Sequence, residues 1–182
     1  MMVETERLLL KSPHEVTAGA VADYYNRNRD FLQQFGPIRS EEFYTTEYQE
    51  KMCCDQENAW EKQTDYRFFI CRKENESEVI GTIALTNLVR GVFQSCFLGY
   101  QLDAEHVNRG YMTEATRRIV EFAFDELRLH RIEGNIIPRN HASRAVVEKC
   151  GFVNEGTSRK YLKINGVWED HIHYVLLNEA ME

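Results

Sequence analysis

The residues best placed to do chemistry form one short run, Val107-Asn108-Arg109-Gly110-Tyr111-Met112-Thr113-Glu114-Ala115. It follows a strand-like segment ending Tyr100-Gln101-Leu102-Asp103 and opens a helical pattern. A helix start leaves about four backbone N–H groups without partners and carries the positive end of the macrodipole. Phosphate is the natural ligand of such a place. Gly110 permits a tight turn and close approach of an anion to the main chain, while Arg109 adds charge and Thr113 a hydroxyl. A single glycine makes neither a Walker loop nor a G-x-G-x-x-G fingerprint. The plainer alternative is an ordinary strand–loop–helix turn in which Glu114 complements the dipole.

Elsewhere the reactive residues are dispersed. Asn140, after Ile137-Pro138-Arg139, suits a helix N-cap, and Ser143 falls in the first turn of that helix. Ser143 has no Ser/His/Asp partner spacing, so a covalent acyl-enzyme is not suggested. His171 and His173 share a strand face at i, i+2, but two imidazoles without a third ligand nearby do not make a metal site, and no metal is called for. The five cysteines (Cys53, Cys54, Cys71, Cys96, Cys150) are odd in number and form no C-x-x-C pair, which points to free thiols.

The elements that must position these groups can be read from periodicity. Leu8-Leu9-Leu10 is a short strand stopped by Ser12-Pro13, and residues 15–63 are helical with a break at Gly36-Pro37. Tyr66, Phe68 and Ile70 alternate, residues 79–85 and 93–102 follow, and the three runs make an antiparallel meander. Met112, Ala115, Ile119, Phe122 and Ala123 mark a helix over 111–127. A strand at 132–137, a helix at 140–150 and a hairpin of 152–164 with 167–177 through Asn165-Gly166 complete the chain. This order predicts one α/β (α+β) domain, residues 4–180, built on a mixed, mostly antiparallel sheet of about seven strands flanked by helices.

Four of these segments, in order, carry a family resemblance. The run from Val107 to Ala115 resembles the acyl-CoA pyrophosphate loop of the GNAT superfamily of N-acetyltransferases. Its part from Gly110 to Ala115 looks like the branch that acetylates the N-terminal alanine or serine of ribosomal proteins. Asn140-His141-Ala142-Ser143, ending in Gly151-Phe152, is similar to the family's second signature. Thr5-Glu6-Arg7-Leu8-Leu9-Leu10 and Asn165-Gly166-Val167-Trp168-Glu169-Asp170-His171 resemble its first strand and closing hairpin. Two positions depart: Val107 and Asn108 stand where the family usually has Gln or Arg and then Gly.

The resemblance implies a splayed central strand pair holding acetyl-CoA as cosubstrate. It implies that Gln101, Leu102 and Asp103 offer main-chain groups to the pantetheine arm, with an N–H near Leu102 polarising the acetyl carbonyl. Val107, Asn108, Arg109, Gly110, Tyr111, Met112 and Thr113 would bind the pyrophosphate, and Asn140 the pantetheine. Ser143 matches the serine that protonates the departing thiolate, with Tyr161 a further proton donor. The family's glutamate base corresponds to Lys160 here, which leaves Glu105, Asp103, Asp170 or ordered water for that task. Residues 41–62 would lie over the acceptor groove, where Glu41, Glu42, Glu47 and Glu50 suit a cationic acceptor or simply a solvated face.

Composition sets outer bounds. With 22 Lys+Arg against 29 Asp+Glu the formal charge is −7, which excludes nucleic acid as the main partner. Hydrophobic residues make up 43% of the chain, enough for a packed core. No run approaches the ~20 apolar residues of a membrane span, so a cytoplasmic protein without membrane partners is expected. Transfer of acetyl to a protein N-terminus is the leading expectation. A polyamine or aminoglycoside acceptor, a catalytically silent acyl-CoA-binding interaction protein, and a homo-oligomer all remain open, since one fold serves many acceptors.

Overall fold

The computed structural model describes residues 2–181. In chain order its elements are β1 (Met2–Glu4), β2 (Leu8–Lys11), α1 (Ala18–Arg27), α2 (Arg29–Gln33), α3 (Thr46–Glu61), β3 (Tyr66–Arg72), β4 (Asn75–Val89) and β5 (Ser95–Leu102). Then follow α4 (Tyr111–Glu121), β6 (Arg131–Ile136), α5 (His141–Lys149), β7 (Val153–Ile164) and β8 (Val167–Leu177). The strands form one sheet in the order β1-β2-β3-β4-β5-β6-β8-β7. Every pairing is antiparallel except β5 with β6.

Eight strands stand where about seven were expected. The addition is β1, whose three residues pair Met2 with Lys11 through Glu4 with Leu9. A strand that short carries no alternation that could announce it. The expected helix over 111–127 also ends differently. After Glu121 the backbone widens into one π turn over Phe122–Glu126, and Leu127 N–H donates to the Phe122 carbonyl at 3.1 Å. In the first half of the chain, Glu41–Tyr44 is a 3-10 turn, and α3 begins only after Thr45, whose hydroxyl accepts from Tyr48 N–H.

Two apolar clusters lie on opposite faces of the sheet. Leu98, Ile132, Ile136, Ile172 and Tyr174 meet Met112, Ala115, Ile119 and Phe122 of the α4 segment and Val147 of α5. Leu9, Phe69, Cys71 and Val79 meet Val21 and Tyr24 of α1 and Cys53 of α3. Side chains alternate across a strand. The residues between the buried positions of β5, β6 and β8 therefore face the second side, beyond the reach of that smaller cluster: Gly99 and Gln101, Glu133 and Asn135, His171 and His173.

The parallel pair is short. β5 and β6 are in register only from Ser95 with Arg131 to Phe97 with Glu133. Beyond that point β5 stays paired with β4, up to Leu102 opposite Gly81, while β6 stays paired with β8, up to Ile136 opposite Ile172. The sheet parts between them, with main-chain groups of residues 98–102 facing the gap. Among the described residues, no helix is long and apolar enough to cross a membrane.

Candidate functional site

β5 delivers the chain to the head of α4 through a braced corner. Asp103 is almost fully buried and accepts from Arg27 Nε at 2.6 Å, Asn28 Nδ2 at 3.0 Å and Glu105 N–H at 2.8 Å. Burial pushes its carboxyl up. The bonds from Asn28, Glu105 and Arg27 outweigh that and hold it below the usual carboxylate range. The Asp103 carboxylate is thus engaged by α1 and the turn that follows, not open to the gap. Glu105, beside it, is exposed, and only its backbone takes part in the corner.

The loop then turns on two left-handed residues, Asn108 at φ 60° and Gly110 at φ 80°. Left-handed residues close together in a turn tilt successive N–H groups toward one point, a concavity suited to an anion. The first intrahelical bond of α4 runs from Glu114 N–H to the Gly110 carbonyl at 3.0 Å. Among the described residues, no acceptor engages the N–H groups of Gly110, Tyr111, Met112 or Thr113. These groups end a helix of 11 residues, so the macrodipole adds to them.

Glu114 does more than complement that dipole. Its Oε1 accepts from Thr5 Oγ1 at 2.6 Å and Arg7 N–H at 2.8 Å, and its Oε2 from Arg7 Nε at 2.7 Å. Arg7 Nη1 donates to the Arg109 carbonyl at 3.0 Å, and its guanidinium lies 4.6 Å from the centre of the Tyr111 ring. Burial would raise the Glu114 carboxyl, but the hydroxyl of Thr5 and the donors of Arg7 hold it below its usual range. One arginine from the β1–β2 turn therefore grips both ends of the loop. The Arg109 side chain itself is exposed, and among the described residues no carboxylate pairs with it.

Across the gap, α5 presents its first turn. Asn140 Oδ1 accepts from Ser143 N–H at 3.2 Å, as an N-cap does. Tyr100 reaches across from β5, its hydroxyl donating to the Ser143 carbonyl at 2.9 Å. α5 also lies along α4, with Arg117 Nη2 donating to the Lys149 carbonyl at 3.2 Å. Gln101, Leu102, the loop and the Asn140–Ser143 turn thus surround the open end of β5. That arrangement can hold a polyanion at α4 and an extended polar chain along the β5 edge.

The acceptor candidates separate on the other face. Asp170 Oδ1 accepts from Lys160 N–H at 2.8 Å, and Lys160 sits at φ 47° in an irregular stretch of β7. That bond gives Asp170 a structural task. Tyr161 packs its ring 5.1 Å from His173 and 5.8 Å from His171. His171 is held below the usual imidazole range, first by burial, against a bond to the Glu169 carbonyl. His173 stands between Glu133 and Ser158, neither of which the sequence singles out, because three separate strands must be in register before they meet. Of the four acids expected over the groove, Glu41 pairs with Arg29 at 2.7 Å, while Glu42, Glu47 and Glu50 are exposed. Residues 34–38 reach the β7–β8 turn, where Asn165 N–H donates to the Gly36 carbonyl at 2.9 Å. Among the described residues, no group of three or more His, Cys, Asp or Glu could hold a metal.

The chain and its fold have counterparts among known proteins. Residues 7–153 match a family model described as an acetyltransferase (GNAT) domain. A probable N-acetyltransferase of Bacillus subtilis, YjcK, is 46% identical over 153 residues, covering 84% of each chain. The [ribosomal protein uS5]-alanine N-acetyltransferase of Escherichia coli is 34% identical over 169 residues, covering 92% of this chain and 86% of its own. The crystal structure of ribosomal-protein-S5-alanine acetyltransferase from Vibrio fischeri superposes with a TM-score of 0.92 at 33% identity, covering 100% of this chain and 99% of that one.

Proposed function

The chain belongs to the acetyltransferase (GNAT) family, and from that premise we propose that it transfers the acetyl group of acetyl-CoA to the N-terminal α-amine of a ribosomal protein. The observation that carries this reading is the loop at α4, whose unpaired N–H groups and two left-handed residues fit a pyrophosphate. The acidic chain does not oppose it, because main-chain dipoles act locally. The choice of an α-amine rests on the E. coli and V. fischeri relatives, both alanine N-acetyltransferases.

Acetyl transfer needs a held thioester, a neutral amine, a polarised carbonyl and a proton for the leaving thiolate. In this reading, N–H groups of the loop from Val107 to Thr113 hold the phosphates. Asp103 N–H is already given to the Ile80 carbonyl at 2.8 Å, against the expectation that it serves the cofactor, so the free edge of β5 at Leu102, beside Gln101, orients the pantetheine, and the Leu102 N–H polarises the carbonyl. Asn140 adds a polar contact, and the Ser143 hydroxyl supplies the proton to sulfur. An α-amine has an intrinsic pKa of ~7.7–8.0 against ~10.4 for lysine, so its neutralisation near pH 7 is a mild task.

Calorimetric titration with acetyl-CoA, joined to a thiol-release assay on peptides beginning with alanine or serine and on polyamines and aminoglycosides, tests the proposal. Release on the peptides supports it. Release on small amines alone replaces the acceptor, and binding without release replaces the enzyme with an acyl-CoA sensor.

A further inference from the structure

On the sheet face away from α4 and α5, a cleft lies at the end of β5. It is lined by Tyr25 of α1, Arg29 of α2, Arg39, Phe43 and Tyr44 of the segment before α3, and Gln101 of β5. Gly36 forms the part of its wall nearest the strand: a methyl group there would lie 3.7 Å from Gln101 Nε2. Gln101 adjoins Leu102, so the cleft opens beside the edge assigned to the thioester. The Asn165 N–H on the Gly36 carbonyl ties that wall to the β7–β8 turn.

The lining is cationic. The Arg39 guanidinium lies 4.5 Å from the centre of the Phe43 ring, and that of Arg29 lies 3.7 Å from the centre of the Tyr44 ring. Phe43 is buried and meets Tyr25 edge-on at 4.8 Å, so the stack on Phe43 rests on a fixed ring. Arg29 gives Nη1 to both oxygens of Glu41, at 2.9 and 2.7 Å, and Nη2 to Asn26 Oδ1 at 3.3 Å. Arg39 has no carboxylate partner among the described residues, and no acid is among the residues that line the cleft. The four acids that suited a cationic acceptor lie elsewhere: Arg29 engages Glu41, and Glu42, Glu47 and Glu50 form no part of the lining. In a chain of formal charge −7, this one place has the opposite sign. A guanidinium already held against a ring loses little freedom on meeting an anion, and its planar fork matches a carboxylate.

We propose that this cleft receives an acidic side chain of the acceptor, an aspartate or glutamate a few residues after the α-amine, with Arg39 as its partner. This rests on the acetyl-transfer reading above and names the class of N-terminus that the site selects. An extended chain advances about 3.3 Å per residue, so a carboxylate on the third to fifth residue can lie on Arg39 while the amine stands by Leu102. The rings of Tyr25 and Phe43 cover the apolar stem of that side chain. Arg39 touches no reacting atom. Its contribution is therefore uniform binding, which acts on KM and not on kcat. The pair is partly exposed, so added salt weakens it.

The test uses the full chain, acetyl-CoA and peptides with an N-terminal alanine that carry glutamate, glutamine or lysine at position three, four or five. At one of these positions the glutamate peptide is expected to exceed the glutamine peptide on the order of tenfold in kcat/KM, and the lysine peptide by more. The difference should lie in KM and shrink as salt is added. Arg39→Gln, at an exposed position, is expected to remove the preference, and Arg39→Glu to turn it toward lysine. Circular dichroism and acetyl-CoA titration check that both variants fold. Equal kcat/KM for the three peptides at every position, a preference for lysine in the wild type, or a glutamate preference that survives Arg39→Gln overturns this assignment while leaving acetyl transfer in place. A wild-type protein that releases no thiol on any peptide overturns the N-terminal acceptor and the acidic pairing together.

Discussion

Arg7 sets Nε and Nη2 each 2.7 Å from one oxygen of Glu114, although the two residues stand 107 apart in sequence. The fork ties the turn after β1 to the first turn of α4, and Nη1 extends the grip to the Arg109 carbonyl. The pair sits near the surface, so its charge contributes little to global stability. Its effect falls on the loop it spans.

Arg7→Ala is therefore expected to weaken acetyl-CoA binding roughly tenfold, with a stability loss of about 1 kcal/mol. Arg7→Lys keeps the charge but not the planar fork, and is expected to recover less than half of the lost affinity. Titration alongside thermal melts distinguishes this from a general loss of folding.

Gly110→Glu places a side chain at φ 80° and a negative charge beside the anion site. The strain costs about 1–2 kcal/mol, and the charge opposes the phosphates directly. Acetyl-CoA affinity is expected to fall on the order of 100-fold in a protein that still folds, as measured by titration and circular dichroism. Unaltered affinity would separate this loop from cofactor binding.

A methyl group at Gly81 would lie 2.7 Å from the Gln101 carbonyl, which belongs to backbone and cannot swing aside. Gly81→Ala is expected to cost about 1–3 kcal/mol in denaturant unfolding and to displace the end of β5. If Gln101 and Leu102 line the thioester, kcat declines along with stability.

Asp103 governs the acid limb of stability. Its folded carboxyl titrates below the unfolded value of ~3.9, so its contribution is present above that pH and is lost as pH falls through the folded value. Asp103→Asn is expected to lower stability at pH 7 on the order of 2 kcal/mol and to flatten its dependence below pH ~4. Chemical denaturation at a series of pH values measures both.

Much of the frame was legible because it is local. A helix start after a glycine, an N-cap at Asn140 and the Asn165-Gly166 turn, whose residues adopt φ 45° and 80°, each declare themselves within a few residues. What escaped depends on partners distant in the chain. Glu114 reads as a dipole complement until Arg7 arrives beside it, and Asp103 reads as an available acid until Arg27 and Asn28 claim it. The alignment of Ser158, His173 and Glu133 required the register shift of β7 between Asn154 and Thr157, around Gly156 at φ 129°, which no period-two pattern carries.

The short parallel pairing of β5 with β6 has a mechanical side. Only a short stretch couples the plate β1–β5 to the plate β6–β8 along the strands among the described residues: three rungs, Ser95 to Phe97 against Arg131 to Glu133, preceded by the His130 and Arg131 N–H groups on the Gln94 carbonyl. An extended ligand lying between the plates would supply the missing rungs and turn two half-ladders into one. Occupancy of the cleft then stiffens the molecule across its middle, and the amides of residues 98–102 that face the gap should exchange with solvent more slowly when it is filled.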